Sequence, residues 1–102
     1  MKTYNKLVRD RIPEIIEAGG KSCVTHVLSD EEYISALETK LNEEVAEYQS
    51  DKNIEEMADV LEVLQAICIA RGYTLSELEE TRAKKANERG GFKDKIFLEN
   101  VK

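Results

Sequence analysis

Two short acidic runs, Glu43-Glu44-Val45-Ala46-Glu47 and Glu56-Met57-Ala58-Asp59, stand eight residues apart in this chain. Carboxylates three or four residues apart share one face of a helix. Two helices joined by a short polar turn lie antiparallel, so both runs can aim oxygen donors at one point. Such a point suits a hard divalent cation, which takes carboxylate and water oxygens as ligands.

A helical wheel places these acids against the apolar positions. With an advance of about 100° per residue, Ile34, Leu37, Leu41, Val45 and Tyr48 form the apolar stripe of the first helix. Glu44 falls about 20° from Leu37 on that wheel, bracketed by Leu41 and Tyr48. Glu47 and Glu43 flank it, whereas Glu38 points elsewhere. In the second helix the apolar residues from Ile54 to Ile69 cover roughly 240° of arc, with Glu56 inside that arc and Asp59 at its edge. Buried carboxylates are unfavourable unless paired or bound to a metal, so an acid on each apolar face signals a cation site more strongly than acidic composition does. Other uses of the same residues stay open. Glu56 has the spacing of a capping box begun at Asn53, and Glu47 can pair with Lys40 or Lys52.

These acids need helices to hold them, and the chain supplies the signals. Pro13 suits the first turn of a short helix that Gly19-Gly20 ends. Ser29-Asp30-Glu31-Glu32 is a capping box that opens a helix over about residues 30–50. Asp51-Lys52-Asn53 makes a turn of about three to five residues, and a second long helix runs to about Arg71 and stops at Gly72. Thr74-Leu75-Ser76-Glu77 opens a third, to about Glu88, closed by Gly90-Gly91. Residues 22–28 contain Cys23, Val24, Thr25 and Val27 and lean towards an extended segment or short strand. His26, the sole histidine, reads as a loop or edge residue. The expected fold is all-α: one domain over residues 1–102, an antiparallel helical bundle. The broad apolar arc of the second long helix needs more cover than one neighbour gives, so a symmetric dimer is expected to complete it.

Charge is distributed unevenly over the 102 residues, which carry a net −6. Residues 1–12 sum to +3, residues 13–80 to −13 and residues 81–95 to +4. An acidic centre bracketed by basic ends offers carboxylates for a metal and cations for an anion, the combination a metal-bound polyphosphate asks for. Lys6, Arg9 and Arg11 suit either phosphate contact or ion pairs with acids elsewhere in the fold. Lys84, Lys85 and Arg89 complement a helix dipole or, with Gly90-Gly91-Phe92, approach a phosphate. The negative total disfavours non-specific binding to nucleic acid. Cys23 and Cys68 form neither a disulfide framework nor a zinc motif, and a reducing cytoplasm is the simplest setting. No secretory leader or membrane span is expected.

Glu43-Glu44-x-x-Glu47 followed by Glu56-x-x-Asp59 resembles the signature of the all-α nucleoside triphosphate pyrophosphohydrolases, which include MazG proteins, dimeric dUTPases and phosphoribosyl-ATP pyrophosphohydrolases. The opening Tyr4-Asn5-Lys6-Leu7-Val8-Arg9-Asp10-Arg11-Ile12-Pro13 and the later Lys85-x-x-x-Arg89-Gly90-Gly91-Phe92 are similar to the MazG-like, phosphoribosyl-ATP pyrophosphohydrolase-like branch. Val60-Leu61-Glu62-Val63-Leu64 departs from the tyrosine and histidine common after this acid in the histidine-biosynthesis enzyme, which counts against phosphoribosyl-ATP as substrate.

The resemblance implies a Mg²⁺-dependent hydrolase, with Mn²⁺ as an alternative ion, that cuts a nucleotide between its α and β phosphates. Glu44, Glu47, Glu56 and Asp59 would be the metal ligands. On this mechanism Glu43, beside Glu47 on the wheel, is the candidate to orient or deprotonate the attacking water. Glu43, Glu44 and Glu47 are the catalytic carboxylates, and Lys85 and Arg89, with Lys6 or Arg9, would offset phosphate charge. Removal of non-canonical nucleotides is the role this implies. Two other classes fit the same residues: a nucleotide or metal sensor that does not cleave, and an acidic helical-dimer module that binds a basic partner.

Overall fold

The computed structural model describes residues 2–102. Among them the chain is all helical: α1 covers Ile12–Ala18, α2 Asp30–Asp51, α3 Ile54–Ala70 and α4 Leu75–Arg89, with no strand. The 22–28 segment forms no regular element among the described residues and Val24 and Val27 stand in solvent, so the short-strand alternative is not met. A strand needs a partner to satisfy its ladder, and every long element here is a helix.

Local side-chain chemistry sets the helix starts. Ser29 accepts a bond from the Glu32 N–H while the Glu32 carboxylate accepts one from the Ser29 N–H, the reciprocal pair that satisfies two orphan donors. Asn53 and Thr74 likewise accept from the N–H groups of Glu56 and Glu77. Among the described residues only Ser29 has the reciprocal bond. Glu56 is therefore capped at its backbone while its side chain stays free for another use.

The turn between α2 and α3 is just Lys52 and Asn53, tighter than the three to five residues expected. Lys52 reaches that geometry in the left-handed region, at φ 51°, where its N–H still bonds to the Tyr48 carbonyl. So short a link forces α2 and α3 side by side and antiparallel. Their seam forms the core: Leu37, Val63 and Cys68 are buried, with Ile34, Leu41, Tyr48, Val60 and Ile67 half-buried around them. The Cys68 thiol donates to the Thr74 carbonyl at 3.3 Å, tying the end of α3 to the turn before α4. Val45, expected on the buried stripe, lies exposed because α3 covers a narrower face than the wheel assumed.

Much of α3 finds no cover. Ile54, Met57, Leu61, Leu64 and Ile69 are all exposed, since α2 takes one face and α4 touches another only lightly. The scale of this is measurable. The chain exposes 9337 Å², against about 5,800 Å² for a compact monomer of its 11.6 kDa mass. Its radius of gyration is 18.1 Å, where about 13 Å is usual for this length. No helix among the described residues is long and apolar enough to cross a membrane.

The Ser29 cap starts the longer site helix, so Ser29→Ala should destabilise the protein by about 1 kcal/mol. Urea unfolding followed by circular dichroism measures this; an unchanged midpoint would show that the cap does not hold α2.

Candidate metal centre

The acidic runs meet at the α2–α3 seam. Glu44 sits on α2 between Leu41 and Tyr48 and is only 7% exposed, the one charged residue buried in the core among those described. Glu56 and Asp59 come from the first turns of α3, held opposite by the two-residue turn. One carboxylate oxygen from each of Glu44, Glu56 and Asp59 lies within 4.8 Å of the others.

Three carboxylates this close repel one another, and two receive internal counter-charges. The Arg9 Nη2 donates to Asp59 Oδ1 at 2.6 Å, reaching back from the basic entry segment. Lys40 Nζ lies 3.3 Å from Glu44 Oε1 and 3.8 Å from Glu43 Oε2. Glu56 has no such relief: its Oε2 is buried and accepts no hydrogen bond. Its pKa is raised above the ordinary glutamate value, first by desolvation and then by the negative charges of Glu47, Asp59 and Asp51.

The expected site residues fall into three groups. Glu44, Glu56 and Asp59 are brought together. Glu47 is exposed one turn beyond Glu44; it acts on Glu56 through its charge and lies outside the close trio. Glu43, outside the close trio, lines a hollow of about 210 Å³ together with Asn5, Lys6 and Leu7 of the entry segment and Thr39 and Lys40 of α2. Arg9, open to either phosphate contact or an ion pair, makes the ion pair with Asp59. Arg11 pairs locally with Glu14. Lys85 and Arg89 lie exposed in the last turns of α4, and Arg89 lines a separate hollow with Gly90, Gly91, Phe92 and Lys93. Among the described residues no ion pair joins Lys85 or Arg89 to an acid.

Two contacts differ from the expected pairings. Lys40 serves Glu43 and Glu44 rather than Glu47, because a residue four positions on is the nearer neighbour on a helix. Lys52 takes neither Glu47 nor any other acid; its ammonium meets Gln49 Oε1 at 2.9 Å and sits over the Tyr48 ring. Asp51 enters the electrostatics of Glu56 without having stood out in the sequence, since its effect depends on the tightness of the turn.

The donor set fits a hard divalent ion. All three donors are carboxylate oxygens, they converge from two rigid helices, and one buried oxygen has no hydrogen-bond partner.

Comparisons with known proteins add little beyond a relative. A Mycolicibacterium smegmatis (strain ATCC 700084 / mc(2)155) protein, described as an uncharacterized protein, is 58% identical over 45 residues, covering 44% of this chain and 46% of that one. The chain thus matches less than half of that relative's length. No known family model matches this chain, and no solved structure does.

The raised pKa of Glu56 carries a sign. A carboxyl whose folded pKa lies above its unfolded value favours the folded state at low pH, and this contribution is lost as pH rises through the folded pKa. In a chelator at pH 7, Glu56→Gln should therefore raise the melting temperature. The gain should vanish below about pH 4, where both proteins carry a neutral side chain. Melting curves from pH 3.5 to 8 decide it: a variant less stable than wild type at pH 7 would mean that Glu56 is not under electrostatic strain.

Proposed function

We propose that this protein is a divalent-metal-dependent pyrophosphohydrolase of nucleotides, hydrolysing the α–β phosphoanhydride of a nucleoside triphosphate to a monophosphate and pyrophosphate. The observation that carries this reading is the convergence of Glu44, Glu56 and Asp59 from two antiparallel helices, with the Glu56 oxygen buried and without a partner. The resemblance of both acidic runs and both basic segments to the all-α nucleoside triphosphate pyrophosphohydrolases supports the same reaction.

In this reading Glu44, Glu56 and Asp59 hold the ion, and Glu47, one turn from Glu44, is the fourth carboxylate available to it. Bound Mg²⁺, or Mn²⁺ in its place, would supply charge against the phosphate oxygens and lower the pKa of a coordinated water. Glu43 stands one residue from the buried ligand and beside Lys6, where it can orient a water and accept its proton. Arg9 reaches Asp59 at the seam from the entry segment, Lys6 lies beside Glu43, and both supply positive charge for the phosphates. Lys85 and Arg89 add a second basic segment at the end of α4. The acidic helices repel a nucleic-acid backbone, so the substrate is a small nucleotide. Its removal as an aberrant nucleotide in the cytoplasm is the role that fits.

The working unit in this reading is a symmetric homodimer. The excess of exposed surface, on the order of 3,500 Å² per chain and so about 7,000 Å² for two chains against compact monomers, is more than enough for a permanent interface, which buries about 2,000–5,000 Å² or more in total. The uncovered apolar residues of α3 lie within it.

Two measurements test these statements separately. Purified protein incubated with Mg²⁺ and a panel of canonical and modified nucleoside triphosphates should release pyrophosphate and monophosphate, and Glu44→Gln should lose at least about a hundredfold of that turnover while staying folded. Orthophosphate as product, or full activity in the variant at saturating Mg²⁺, would sink the assignment. Sedimentation equilibrium should give a mass twice that of the chain at micromolar concentration, and Leu61→Glu should shift it to the monomer. A wild-type monomer would rule out the dimer.

A further inference from the structure

The segment after α4 is a long uncovered apolar stretch among the described residues. Phe92 is 98% exposed and Phe97 88%, and Ile96, Leu98 and Val101 stand out as well. Polar side chains would be expected on a free surface tail; here five large apolar residues fall within ten positions. The segment leaves the helix at Gly90, whose φ of 82° only glycine takes without strain, and it turns once more where the Lys95 N–H bonds to the Phe92 carbonyl. Every residue from Gly90 to Lys102 is exposed. A long axis of 61 Å, against about 33 Å for the 22 residues of α2, fits a chain whose arms stand clear of the helix pair.

α3 has the matching vacancy in the same fold. Ile54, Met57, Leu61 and Leu64 follow one another at spacings of three and four, one continuous stripe, and all are exposed. The helix is about 25 Å long, and ten residues of extended chain span about 33 Å. One tail is long enough to run the whole stripe. Charge favours the same match: residues 54–70 carry four acids and no base, while residues 89–102 carry four bases and two acids.

We infer that residues 92–101 form an exchanged arm that lies on the α3 stripe of a second copy of this chain. The inference rests on the dimer proposed above and goes beyond it by naming the segments that meet. Exchange in both directions is a symmetric contact, so it closes at two copies and leaves no open face to propagate. It also carries Arg89 and Lys93 of each chain towards the acidic helix of the other. Lys85 and Arg89, which form no ion pair among the described residues, gain an acidic neighbour across the interface.

The test places a photo-crosslinking p-benzoylphenylalanine at position 97 of unlabelled chains and mixes them equally with ¹⁵N-labelled chains that carry native Phe97. After subunit exchange and irradiation, mass spectrometry should find light position 97 joined to heavy peptides containing residues 54–64. Light-to-light links alone would mean that the tail folds onto its own chain, and heavy links to any other surface would mean that it docks elsewhere; either overturns the arm while leaving the dimer standing. A wild-type monomer in sedimentation overturns the dimer and the arm together. As a second readout, Phe97→Asp should weaken dimerisation by about tenfold or more, and an unchanged dissociation constant would count against the arm even if the cross-link failed to form.

Discussion

Mutual repulsion among Glu44, Glu56 and Asp59 is the constraint around which the rest of this small fold is arranged. Carboxylates converging within 4.8 Å favour separation, and nothing in helix propensity or packing asks for them together. The protein holds them by making the frame stiff. The two-residue turn at Lys52-Asn53 leaves α2 and α3 no freedom to splay, and the Leu37, Val63 and Cys68 seam clamps the pair from the far side. Arg9 and Lys40 supply partial relief at the rim. The strain that remains is concentrated on Glu56, the member that burial and three neighbouring charges all push towards the neutral form. Energy stored in this way favours whatever positive charge enters.

The basic segments follow from the same arrangement. The entry segment would be a stray strap without the acids. With them, Arg9 fastens it across the seam by one ion pair that is half open to solvent, a pair that contributes little to stability and is correspondingly easy to exchange. Lys6 follows beside Glu43. Cations of the entry segment therefore stand beside carboxylates of both acidic runs.

A bundle of two long helices cannot bury three faces. α3 is apolar around most of its circumference, yet α2 covers one side and α4 little of another, so the chain ends with a far larger surface than its mass warrants. That incompleteness and the exposed apolar segment after α4 are the two features on which the proposed dimer rests, and Glu56 and Asp59 lie on the same uncovered helix.

Helix count, order and starts were legible in the residues, because Ser29, Asn53, Thr74 and the glycines at 19–20, 72 and 90 act locally and need no partner to be recognised. The placing of Glu44 on a buried face was legible for a similar reason: its phase relative to Leu41 and Tyr48 is a property of the helix alone. Other features depended on distances between elements. Val45 turned outwards because only the packing angle of α3 decides how wide the buried stripe is. Lys40 chose Glu44, Arg9 chose Asp59, and Asp51 came to bear on Glu56, since an ion pair or a field between helices is set by separation in space. The 22–28 segment had strand-forming residues but forms no strand, and only the tertiary structure could say so. Sequence by itself determined which acidic residues share a helix face and which helices hold them. The tertiary structure decided which of those residues meet, because helical phase is fixed within an element while convergence is fixed by how two elements pack.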